Sequence, residues 1–173
     1  MGWPERVDII KWINRILSWE PNARIVLHGV SMGAATVLMA SGEDLPENVK
    51  AVIADCGYTS EWDEFQREAD TLHIPWFPVL NATSVLSKVR DGYDFKQASA
   101  LAQVKKSRIP TLFIHGSSDE LVPYSMLGEL YAAAACEKEE LTVEGAGHAL
   151  SSSVAPTLYW RTVEDFIAKY LDR

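Results

Sequence analysis

The fold of this chain turns on IVLHGVSMGAATVL, residues 25–38. A nearly continuous aliphatic and β-branched run, ARIVLH (23–28), reads as a strand buried on both faces. The small-residue run GAATVLMAS (33–41) reads as a helix able to pack closely on a sheet, and Gly42 stops it. Between them lies Gly-x-Ser-x-Gly, with Ser31 at its centre. At ordinary Gly and Ser frequencies this pattern arises by chance in roughly one chain in twenty of this length, so the motif alone is weak. The strand entering it and the helix leaving it carry the argument. A serine at such a turn is held in a strained conformation that lifts its hydroxyl above the sheet. Gly29 and Gly33 are expected where side chains would collide, and Met32 offers a backbone N–H at a helix start to a developing oxyanion.

On either side of this motif, strands and helices alternate. A helical period over 4–19 precedes it; VKAVIAD (49–55), TLFIHG (111–116) and EKEELTVEG (137–145) read as further strands. VPYSMLGELYAAAA (122–135) and PTLYWRTVEDFIAKYL (156–171) read as helices. This alternation predicts an α/β fold with about four parallel strands and helices on both faces. Residues 58–108 break the rhythm with a helical SEWDEFQREADTL, an apolar, Pro-interrupted HIPWFPVL and two further amphipathic helices. They are expected to form a lid insertion within a single domain spanning 1–173, whose Trp62, Phe65, Trp76 and Phe77, with Leu72, Ile74 and Leu80, would line a substrate pocket or the lid's own small core.

A length of 173 residues suits one domain, and a net charge of −8 with VKKSR (104–108) as the only basic cluster argues against nucleic acid. Cys56 and Cys136 are too few for a disulfide framework or a Cys-rich metal site and are expected as reduced thiols. The segment MGWPERVDIIKW has no basic stretch leading into an apolar one, and no run is long enough to span a bilayer; a cytoplasmic location with no membrane partner is the expectation.

A nucleophilic serine needs a base and the base an acid. His28 and His115 precede glycines at strand ends and read as structural or pocket-lining, while His73 falls in the irregular segment. His148, in the flexible EGAGHALS loop after the last strand, is the candidate base. Asp119, in FIHGSSDELVP, follows a strand and faces the carboxyl-end rim where open parallel sheets place their sites; Asp55, in ADCGYTS, is its rival.

HGVSMGAA, ADCGYTS, PTLFIHGSSDELVP and GAGHA together resemble the α/β-hydrolase superfamily, most closely bacterial serine hydrolases with a prolyl-oligopeptidase-like catalytic core. The resemblance spans essentially the whole chain. It implies Ser31 as nucleophile, His148 as general base, Asp119 as its partner and Met32 as one oxyanion donor, with no metal or organic cofactor. The implied activity is cleavage of small ester or related acyl substrates. The family's sheet has eight strands, with the serine after the fifth and a second oxyanion donor in the loop after the third. The first four strands have no counterpart here, so the chain is expected to be the C-terminal part of a longer hydrolase. Strand 23–28 would then present an edge to a second copy, forming a homodimer. The alternative expectation is a catalytically impaired fragment that serves as a folded or oligomerising module.

Overall fold

The computed structural model describes residues 1–171. Four strands, β1 (Ile25–Val30), β2 (Val49–Asp55), β3 (Thr111–Gly116) and β4 (Lys138–Val143), lie in the order β1-β2-β3-β4, all parallel. The helices are α1 (Glu5–Trp19), α2 (Met32–Ser41), α3 (Glu61–Thr71), α4 (Trp76–Asp91), α5 (Ala100–Val104), α6 (Ser125–Ala133), α7 (Ser151–Val154) and α8 (Pro156–Leu171). This is the expected α/β-hydrolase architecture reduced to four strands.

The apolar runs sort by period two onto the sheet's faces. Val52 and Ala54 of β2 and Phe113 of β3 point to one core with α1, α2, α5 and α6. Ala51, Ile53, Leu112 and Ile114 point to the other, against Tyr159, Val163, Phe166 and Tyr170 of α8. Three successive crossovers on one face step the strands in one direction, as right-handed βαβ connections require. Helix α2 is buried from Ala34 to Ser41 because it lies between the sheet and other helices, and its small side chains permit that approach.

Element ends differ from the sequence reading at several places. β1 runs on through Gly29 and Val30 to the serine, and α6 starts at Ser125 rather than 122. α4 begins at Trp76, inside the apolar stretch read as irregular, with non-helical dihedrals at Phe77. In the segment 58–108, an isolated antiparallel bridge joins Ser60 to Ser99, clamped by Glu61 N–H to Ala98 O (2.9 Å) and Leu101 N–H to Thr59 O (2.9 Å). α3 and α4 pack on each other beyond that clamp, whereas α5 packs on α2 in the main core.

Register sets the site. Val30 pairs with Asp55, Asp55 with Ile114, and Gly116 with Val143, so all four strands release their chains at one rim.

Candidate active site

Ser31 leaves β1 at φ 55° and ψ −119°, a conformation side-chain-bearing residues rarely adopt. Its N–H donates to Asp55 O at 2.8 Å, so the neighbouring strand holds the turn. Gly29 is required sterically: a Cβ there would collide with the backbone of Gly33 and Ala34. The reading of Gly33 is corrected, because a Cβ at Gly33 would meet nothing within 4 Å. The close approach is one-sided: the strand residue needs to be bare so that the helix backbone can come near. Met32 opens α2, and a first helical residue has no intrahelical acceptor for its N–H.

His148 reaches Ser31 from the loop after β4. Ser31 Oγ lies 2.7 Å from His148 Nε2, and His148 Nδ1 lies 2.9 Å from Asp119 Oδ2. A carboxylate only accepts, so Nδ1 carries the ring proton and Nε2 presents a lone pair to the serine hydroxyl. Asp119 is buried, and its second oxygen, Oδ1, accepts the backbone N–H groups of Leu121 and Val122 at 2.9 Å each. His115 Nε2 donates to Val122 O at 3.0 Å and lies 3.2 Å from Asp119 Oδ2, bracing the same loop. The loops bearing acid and base are tied together: Ser118 N–H donates to Ala146 O at 3.0 Å, and Gly145 N–H donates to Ser117 Oγ at 2.8 Å. Gly116 has no room for a side chain because the Ala146 carbonyl sits against it.

Asp55, the rival acid, does a different job. It accepts the Ser151 hydroxyl at 3.1 Å and the Tyr159 hydroxyl, and so anchors the segment just beyond His148 to β2. Burial raises its pKa. Tyr159 in turn accepts from His28 Nε2 at 2.9 Å, which assigns His28 a structural partner; burial lowers the pKa of that histidine. No spacing in the sequence announces Ser151, which lies in a run of serines. Nor does the sequence show Cys56 turned toward Asp119 and His148, yet sulfur, carboxylate and imidazole atoms lie within 4.8 Å of one another. Both cysteines are free thiols.

Of the four residues expected to line a pocket, Phe65 and Trp76 do line one, a cavity of about 250 Å³ between α3 and α4 shared with Leu72, Ile74, Val79 and Leu80. Trp62 lies elsewhere, its Nε1–H donating to Gln66 at 3.1 Å and Lys96 over its ring. Phe77 is exposed, edge-on to Trp76.

The prolyl oligopeptidase family model matches residues 5–173. The chain belongs to that family. Among relatives of this family member, the uncharacterized protein YqkD of Bacillus subtilis is 32% identical over 171 residues, covering 96% of this chain and 55% of YqkD. The alpha/beta hydrolase domain-containing protein WAV2 of Arabidopsis thaliana is 31% identical over 184 residues, covering 98% of this chain and 56% of WAV2. The chain spans about half the length of these curated relatives. Among solved structures, the Pyrococcus furiosus esterase Pf2001 superposes with a TM-score of 0.74 at 19% identity, covering 98% of this chain and 63% of the esterase. The Pyrococcus horikoshii acylaminoacyl peptidase does so at 0.71 and 19%, covering 98% of this chain and 28% of the peptidase. These two likenesses concern the fold. The family and the fold together make the chain a member of the prolyl oligopeptidase family with an α/β-hydrolase architecture.

Proposed function

We propose that the chain carries the catalytic triad of a hydrolase acting on small ester or related acyl substrates through an acyl-enzyme. The observation that supports this most is the unbroken relay Ser31 Oγ–His148 Nε2 at 2.7 Å and His148 Nδ1–Asp119 Oδ2 at 2.9 Å. In this reading His148 takes the Ser31 proton as the hydroxyl attacks the carbonyl carbon, then delivers it to the departing alcohol. Asp119 keeps the imidazole in the productive tautomer, and the Met32 N–H faces the developing oxyanion. Water then repeats the cycle on the acyl-enzyme. The α3–α4 hairpin acts as the lid, and its apolar cavity is suited to the hydrocarbon part of an acyl group. No step requires a cofactor. A fluorophosphonate probe should label Ser31, located by peptide mass, and Ser31→Ala should abolish both labelling and turnover of a short p-nitrophenyl ester; turnover that survives Ser31→Ala would refute the assignment.

A second reading, a catalytically impaired module, is favoured by the open outer edge of β1, which has no strand partner among the described residues. In that reading strand 23–28 pairs two copies, and light scattering should show a dimer; a monomer at all concentrations would remove it.

A further inference from the structure

We propose that Cys56, Asp119 and His148 form a site for a thiophilic divalent cation of the zinc class, and that occupancy of this site switches the Ser31 centre off. The geometry is independent of any assigned activity: the Cys56 sulfur, an Asp119 carboxylate oxygen and a His148 ring nitrogen all lie within 4.8 Å of one another. Thiolate, imidazole and carboxylate are the donors zinc takes, and in a tetrahedral site they stand about 3–4 Å apart, so sub-ångström to ångström movements close the set.

Each donor is aimed by the fold rather than by chance of rotation. Cys56 follows the last residue of β2 and is held at φ 49°, with its N–H bound to Ile114 O at 2.8 Å. Its sulfur is fully buried. Asp119 is fixed by the Leu121 and Val122 N–H groups and by His115. His148 is partly exposed and gives the site its mouth. A bound dication favours the thiolate of Cys56, because a coordinating thiol is deprotonated and the Asp119 carboxylate becomes a co-ligand.

The protons balance simply. The thiol proton leaves to solvent as the sulfur–metal bond forms, and the ring proton stays on the imidazole. Nδ1, 2.9 Å from Asp119 Oδ2, is the ring nitrogen that can share an ion with that carboxylate, and as it ligates the ring proton moves to Nε2. Nε2 can then no longer accept the Ser31 proton. The inhibitory half of the proposal rests on the hydrolase reading above; the binding half does not.

Cobalt(II) tests the two halves separately, because a thiolate–cobalt bond gives an intense near-ultraviolet charge-transfer band whether or not the chain is active. The band should appear with the unaltered chain and with Cys136→Ser, vanish in Cys56→Ser and Cys56→Ala, and be displaced by Zn²⁺. Circular dichroism confirms that both Cys56 variants are folded. Zn²⁺ should suppress fluorophosphonate labelling of Ser31, and Cys56→Ser should need about tenfold more Zn²⁺ or beyond for the same suppression. No band in the unaltered chain, or a band that persists in Cys56→Ser, overturns the site. Metal binding that leaves labelling untouched overturns the switch. If the metal-free chain is not labelled, the hydrolase reading fails while the cobalt band still decides the site.

Discussion

The rim of the sheet and the α3–α4 hairpin are built to opposite standards. At the rim, Ser31, Asp55, His115, Asp119, His148 and Ser151 all have hydrogen-bond partners, many of them backbone groups. In the hairpin, Glu61 Oε2, Glu64 Oε2, Arg67 Nε and Asn81 Oδ1 are buried without a partner; among the described residues only Gln103 Oε1 joins them from outside it. The hairpin also exposes Leu72, Ile74, Phe77, Val79, Val85, Leu86 and Val89. A fully satisfied polar network rigidifies its surroundings, whereas orphaned polar atoms and uncovered apolar side chains mark a region whose packing is incomplete. The first region is held fixed, and the second is left adjustable.

Five substitutions probe that contrast, in falling order of effect, with Gly33→Ala as the control for Gly29→Ala. Asp119→Asn should lower kcat about 10³–10⁴-fold, because the carboxamide can present its N–H groups and lose the productive tautomer of His148; the stability of the protein should change far less. A loss under tenfold would show that the rim tolerates what its geometry forbids. Gly29→Ala should destabilise the protein by about 3 kcal/mol or more, since the new methyl meets backbone, while Gly33→Ala should change stability by under about 1 kcal/mol. Urea denaturation of the pair measures both, and equal effects would remove the one-sided account of the turn.

In the hairpin, Trp76→Ala should alter the ratio of long- to short-chain ester turnover about tenfold with a small change in melting temperature. Uniform losses across chain lengths would leave the cavity as packing alone. The smallest effect concerns Glu61, where burial raises the pKa to about 7. Between its ordinary value of about 4.3 and that raised value, the folded state keeps a proton that the unfolded chain has lost. Stability therefore falls as pH rises through this window and levels off above it. Glu61→Gln removes the fall: at pH 8 the variant should melt a few degrees above the unaltered protein, and at pH 4 the two should coincide. Identical melting curves at pH 8 would place Glu61 in a wetter site than its burial indicates.

Much of the rim is legible in the amino-acid sequence. Ser31, His148 and Asp119 each sit shortly after a recognisable strand, so knowing that the strands are parallel suffices to bring them to one rim. The hairpin is not legible in that way. Trp62, Phe65, Trp76 and Phe77 are equally aromatic in the sequence, yet two line the cavity and two do not, because helix phase and the break at Phe77 decide where each points. Gly33 shows a related limit: the pattern pairs two glycines without saying whose Cβ meets whose backbone.

Element order, the parallel sheet and the places of Ser31 and His148 follow from the chain alone, since apolar periodicity and turn chemistry act over a few residues. The choice between Asp119 and Asp55 needs the folded molecule, which ties Asp55 to Ser151 and Tyr159 and brings Cys56 beside the acid and the base. Those outcomes depend on contacts between residues far apart in the chain, at distances set by strand register and helix packing, which no local pattern encodes.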